Sequence, residues 1–137
     1  MERSVKVVLV DDNIIFLQAL EILIVQSPQF EIVAKFQSGV DLLNYKNLQG
    51  IDLILMDIEM PGLNGFETAI RLDYLYRDIK KIAISMYDDR AYLDKLVCSG
   101  FRGYVSKTRV TEDLMGTIER VLQGDLVFPS DVKTHYD

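Results

Sequence analysis

Five short runs rich in Val, Ile and Leu recur along the chain, and each is followed by a longer segment whose apolar residues return at helical spacing. That alternation restricts the fold more than any other feature. The strand candidates are Lys6–Val10, Ile32–Phe36, Leu53–Met56, Lys81–Ser85 and Gly103–Val105. The first, third and fourth are nearly continuous in apolar residues, as strands covered on both faces are. Their Val and Ile content favours strand over buried helix.

The helical segments fall between them. The first runs from Ile14 to Gln26, with Leu17, Leu20, Leu23 and Ile24 on one face and Ser27–Pro28 closing it. A second covers Gly39–Tyr45 with Val40, Leu42 and Leu43. A third follows Asn64–Gly65, with Phe66, Ala69, Ile70 and Leu75 as its apolar face. The fourth spans Arg90–Ser99, with Tyr92, Leu93, Leu96 and Val97. The fifth starts near Thr111, where Glu112 and Asp113 suit the positive end of the helix dipole. It presents Leu114, Ile118, Val121 and Leu122 and stops at Gly124. Five β-α units with right-handed crossovers predict an α/β domain: a doubly wound parallel sheet of five strands flanked by five helices.

In such sheets the chemistry collects at the carboxyl ends of the strands. The first run ends on Asp11 and Asp12. The third, in "LILMDIEMPGLNG", ends on Asp57 with Glu59 just beyond. The fourth ends on Ser85, and the fifth is followed by Ser106 and Lys107. Taken singly, each has an ordinary use: an aspartate as turn or helix cap, a serine as a last strand residue, a lysine in a solvated loop. Together on one rim they describe a site.

Clustered carboxylates repel one another unless a cation sits among them, and hard oxygen ligands favour Mg²⁺. Asp57 is then a candidate nucleophile of the aspartyl-phosphate kind. Mg²⁺ and Lys107 would neutralise charge on the phosphoryl oxygens, and Ser85 could donate a hydrogen bond to one of them. No GxxxxGK[ST] phosphate loop, dinucleotide glycine pattern or Cys/His cluster of zinc spacing occurs, and the single histidine, His135, lies in the tail.

Composition closes off other classes. A net charge of −6 and a pI near 4.7 argue against a broad basic surface for nucleic acid or membrane. With 137 residues and 49% hydrophobic content, the chain has the size and apolar fraction of one folded domain. Cys98, the one cysteine, fits a reducing compartment and is expected on a helix near the core. The N-terminal "MERSVKVVLVDD" is neither a signal peptide nor a span, so a cytoplasmic location is expected.

Over residues 4 to 125 the chain resembles the receiver domain of two-component response regulators. The resemblance rests on "VLVDDN", "LILMDIEMPGLNG", "IAISMYDD" and "GYVSK", in that order. "SMYDD" and "SGFRGYVSK" are most similar to the branch whose receivers precede a LuxR-type helix-turn-helix (NarL/FixJ-like). It implies a flavodoxin-like sheet of order 2-1-3-4-5 and a phosphoryl group taken onto Asp57 from a sensor histidine kinase or phosphotransfer protein. Asp11 or Asp12 would act through Mg²⁺, the second usually as direct ligand and the first through water, with Asp57 and the Glu59 carbonyl completing the set. Ser85 would match the hydroxyl residue of the switch, Tyr104 its rotating aromatic and Lys107 the phosphate-pairing lysine. Glu59 and Tyr87 stand where the family tunes phosphate lifetime. The output surface would lie around helix 4, strand 5 and helix 5.

The resemblance also implies a phosphorylation-dependent homodimer, for which Leu20, Ile24 and Val121 are candidates, although core is their first reading. Residues 1–125 are expected to form the receiver and 126–137 a tail or the start of a linker to an effector domain absent from this chain. DNA contact would belong to that domain. Two other functions compete: a small Mg²⁺-dependent phosphatase working through an aspartyl phosphate, and a binding module that keeps the fold but needs no phosphate.

Overall fold

A computed structural model describes residues 3–129; His135 and the tail beyond Pro129 lie outside them. Five parallel strands form one sheet in the order β2-β1-β3-β4-β5. They are β1 (Val5–Val10), β2 (Phe30–Phe36), β3 (Leu53–Asp57), β4 (Lys80–Ser85) and β5 (Gly103–Ser106). The helices are α1 (Ile14–Val25), α2 (Gly39–Leu43), α3 (Gly65–Leu75), α4 (Arg90–Cys98) and α5 (Val110–Leu122). The predicted element order and fold class hold throughout, with ends moved by one or two residues.

Side-chain alternation along the strands divides the interior into two cores. Val8, Val10, Ile54, Met56 and Ala83 face one way, against Leu42, Phe66, Ala69, Leu72, Leu93 and Leu96 from α2, α3 and α4. Val7, Leu9, Leu53, Leu55, Ile82 and Ile84 face the other, against Leu17, Leu20 and Ile24 of α1 and Leu114, Ile118 and Val121 of α5. Leu20, Ile24 and Val121 are therefore core residues, each at most 1% exposed.

Three helical faces differ from the sequence expectation. On α3, Ile70 and Leu75 point to solvent at 49% and 61% exposure, while Thr68 and Leu72 are buried. Thr68 is tolerated inside because its hydroxyl donates to the Asn64 carbonyl at 2.7 Å. On α2 and α4, Val40 and Val97 are likewise exposed. Cys98 ends α4 as expected of a helix residue, but it is exposed rather than near the core.

Beyond α5 the chain turns back along the sheet edge. Val127 pairs with Gly103 in a parallel bridge, accepting from the Tyr104 N–H at 2.9 Å and donating to the Arg102 carbonyl at 2.9 Å. Phe128 packs on the α2–α3–α4 core. Among the described residues, no helix is long and apolar enough to cross a membrane.

Candidate functional site

The rim at the carboxyl ends of β1, β3, β4 and β5 gathers the residues singled out in the sequence. Asp11 follows β1 directly and is 1% exposed; Asp57 is the last residue of β3 and is 4% exposed. Asp12 stands between Asp11 and the helix and is exposed. Either aspartate could in principle cap α1. Neither does: Asn13 is the cap, its side-chain oxygen accepting from the Ile15 and Phe16 N–H groups. Asp11 is instead oriented by the Asn13 N–H, which donates to its Oδ1 at 2.8 Å.

Lys107 enters from the first residue of a short 3₁₀ turn after β5. Its Nζ lies 3.0 Å from Asp11 Oδ2, 3.4 Å from Asp57 Oδ1 and 4.7 Å from the centre of the Phe16 ring. Carboxylate oxygens of Asp11, Asp12 and Asp57 come within 4.8 Å of one another.

One lysine does not balance this charge. Burial, with the negative charge of Asp11 beside it, pushes the Asp57 carboxyl up to about 7 despite Lys107. Asp11 is raised as well, again chiefly by burial. Lys107 is opposed by its own burial, yet the Asp11 contact outweighs that and holds its pKa above the usual value. Three carboxylates around one ammonium form an oxygen donor set with negative charge to spare. That chemistry fits Mg²⁺, a hard cation that takes one or two carboxylates and keeps waters.

The loop from β3 to α3 shapes the backbone that follows Asp57. Met60 and Gly65 N–H groups both donate to the Ile58 carbonyl, at 3.1 and 2.9 Å. Gly62 takes a positive φ of 76°, and Asn64 caps α3 by accepting from Glu67 N–H. Gly65 is required by proximity: a Cβ there would lie 2.7 Å from Ile58 Cα and 2.9 Å from the Asp57 carbonyl oxygen.

Ser85 ends β4, and its neighbour Ile84 sits opposite Asp57 in the register. The hydroxyl is 2.9 Å from the Tyr92 hydroxyl and accepts from the Tyr87 N–H at 3.2 Å. Tyr104 is buried, its hydroxyl donating to the carbonyls of Tyr87 at 2.8 Å and Ser85 at 3.3 Å. Burial, with Asp88 nearby, pushes that phenol up to about 12. Glu59 and Tyr87 are both exposed, and Tyr87 lays its ring 5.5 Å from that of Tyr92.

Tyr92 is the residue that sequence reasoning missed. Helical spacing places it on the apolar face of α4, but its hydroxyl also donates to Glu59 Oε2 at 2.9 Å. Its spacing on a helix signals burial, and nothing local announces a partner 33 residues away in the chain.

Likeness to known proteins agrees with this geometry. Residues 7–119 match the family described as the response regulator receiver domain. The chain belongs to that family. Over 123 residues it is 31% identical to the transcriptional regulatory protein DegU of Brevibacillus brevis, covering 90% of this chain and 52% of that protein. A DNA-binding response regulator of the LuxR family from Staphylococcus aureus superposes with a TM-score of 0.77 at 29% identity, covering 86% of this chain and 98% of that one. A LuxR-family response regulator from Aurantimonas sp. SI85-9A1 shares the fold with a TM-score of 0.87 at 24% identity, covering 96% and 94%. LuxR-family regulators are thus among its structural neighbours, and the chain itself is a two-component receiver domain. The chain spans little more than half the length of the curated relatives it matches, 52% of DegU and 61% of the Fimbriae Z protein of Escherichia coli. Receiver domains of this family interact with histidine kinases and bind Mg²⁺ at the acidic pocket, where Asp11, Asp12 and Asp57 meet here.

Proposed function

We propose that Asp57 is the phosphoacceptor. An Asp57 carboxylate oxygen attacks the phosphorus of a kinase or phosphotransfer-protein phosphohistidine. The new P–O bond forms as the P–N bond breaks, and the imidazole leaves with the electron pair. Water attack on the same phosphorus later returns the free carboxylate. This weak self-catalysis is all the chemistry assigned to the domain. The observation that carries the reading is the Lys107 ammonium held between buried Asp11 and Asp57, at 3.0 and 3.4 Å.

Asp11, Asp12, Asp57 and the Glu59 carbonyl are the residues that would hold Mg²⁺, which would supply positive charge against the phosphoryl oxygens. Lys107 pairs with one of those oxygens and Ser85 donates a hydrogen bond to another. Glu59 and Tyr87, flanking the acceptor, set how long the aspartyl phosphate lasts. Ser85 and Tyr104 form the switch. The hydroxyl of Tyr104 is already bonded to the Ser85 carbonyl, so a shift of Ser85 reaches Tyr104 and the surface of α4, β5 and α5.

The domain acts in the cytoplasm, within a regulator of transcription. The receiver extends past residue 125 through Val127 and Phe128, which dock on β5 and on the α2–α3–α4 core, and DNA contact would belong to an effector domain of the longer regulator. Phosphorylation promotes a homodimer. RcsB, whose fold this chain shares at 20% identity, has been solved as dimers bound to DNA.

The test is incubation with Mg²⁺ and acetyl phosphate, following intact mass beside Asp57→Asn. Gain of one phosphoryl group by the wild type alone supports Asp57 as acceptor. No gain, with no binding of the phosphoryl mimic beryllofluoride, overturns the reading in favour of a phosphate-independent module.

A further inference from the structure

The hydrogen bonds around Tyr92 fix where two protons sit. A phenol has one proton, and the Glu59 carboxylate can only accept. The bond from Tyr92 to Glu59 Oε2 at 2.9 Å therefore uses the Tyr92 proton. The remaining contact, 2.9 Å between the Ser85 and Tyr92 hydroxyls, must then be donated by Ser85. Tyr87 N–H donates to Ser85 Oγ at 3.2 Å, so the serine's accepting side is also engaged. The one proton that Ser85 has to offer a phosphoryl oxygen is already committed.

The phenol is held in place for this task. Its ring meets Phe66 edge-on at 5.2 Å and Tyr87 at 5.5 Å, and the residue lies two positions into α4, whose cap Asp89 accepts from its N–H. Burial and the adjacent Glu59 carboxylate raise its pKa, so the hydroxyl stays protonated.

We propose that Tyr92 is a positioning residue: its hydroxyl, oriented by Glu59, latches the Ser85 hydroxyl in the unphosphorylated state. This rests on Asp57 being the phosphoacceptor. Breaking the Ser85–Tyr92 bond is then part of switching, and it opposes phosphoryl binding. Glu59 acts on the site through the Tyr92 proton as well as through its place beside the acceptor.

The test is binding of beryllofluoride with Mg²⁺, measured by calorimetry and ¹⁹F NMR, on wild type, Tyr92→Phe, Ser85→Ala and the double variant. Tyr92→Phe keeps the ring contacts and deletes only the hydroxyl, and its melting temperature checks that the fold stands. The latch predicts about three- to tenfold tighter binding by Tyr92→Phe, the scale of one hydrogen bond. It predicts no difference between Ser85→Ala and the double variant, because the serine hydroxyl is the route. Unchanged or weaker binding by Tyr92→Phe overturns the latch, as does an equal gain in the Ser85→Ala background. If the wild type binds no beryllofluoride, the phosphoacceptor reading falls first and the latch falls with it.

Discussion

Two lysines, Lys81 inside β4 and Lys107 in the 3₁₀ turn after β5, each face aspartate, and they are built for opposite ends. Lys107, at the carboxyl rim, is 20% exposed and stands between Asp11 and Asp57. Lys81, at the second residue of β4, is 1% exposed and meets a single partner, Asp73 of α3, at 3.1 Å. The environment raises the pKa of Lys107 and lowers that of Lys81, where burial outweighs the lone carboxylate. At Lys81 one charge answers one charge, and Asp73 keeps 47% of its side chain in water. At Lys107 negative charge is in excess, and two of the three carboxylates, Asp11 and Asp57, are withdrawn from solvent while Asp12 stays exposed. The difference separates a structural ion pair from a site whose excess negative charge a proton or a further cation would balance.

Removing each lysine or its partner sharpens that contrast. Lys107→Ala is expected to lower the rate of phosphoryl gain from acetyl phosphate about a hundredfold, the scale of one deleted charge-stabilising donor. The fold should survive, so intact mass over time and a melting curve together check it. Asp73→Asn should do the reverse. It leaves a buried ammonium without its carboxylate, at a cost on the order of 3 kcal/mol in urea unfolding, with phosphorylation unaltered.

The pH response belongs to the rim. The folded Asp57 carboxyl titrates at about 7 against an ordinary value of 3.8, so the folded metal-free protein binds a proton that the unfolded chain has released. Stability contributed by that proton is present below the ordinary value and is lost as pH rises through about 7. Thermal melts without Mg²⁺ should therefore fall across that window, and saturating Mg²⁺ should remove the decline. Protons and metal compete for the same oxygens, so Mg²⁺ affinity should drop up to about tenfold per pH unit below the Asp57 value. Calorimetric titration checks this. The smallest effect is expected for Lys81→Met, within about 1 kcal/mol of wild type, because Asp73 is left in water and the methionine fills the apolar volume. A loss near that of Asp73→Asn would mean that the Lys81 charge itself holds α3 to β4.

The rim was legible because strand ends can be read from where apolar runs stop. Asp11, Asp57, Ser85 and Lys107 each sit at such a boundary, and the parallel topology brings all of those boundaries to one edge. Tyr92 and Lys81 were not legible in the same way. One lies inside a helix and the other inside a strand, and their partners, Glu59 and Asp73, come from other elements. Helical spacing also misread α3. Ile70 and Leu75 match the period, yet the buried stripe runs through Gly65, Thr68, Ala69 and Leu72, one step round the helix.

By itself the sequence determined the β-α order, the parallel sheet and the acidic rim, because these follow from local periodicity and from the chirality of the connections. Tertiary structure alone decided which proton goes where: Tyr92 between Ser85 and Glu59, Lys107 between two aspartates, and Val127 laid along β5. Hydrogen bonds and ion pairs depend on separations of about 3 Å. Residues far apart in the chain reach such separations only once packing has set the helices against the sheet.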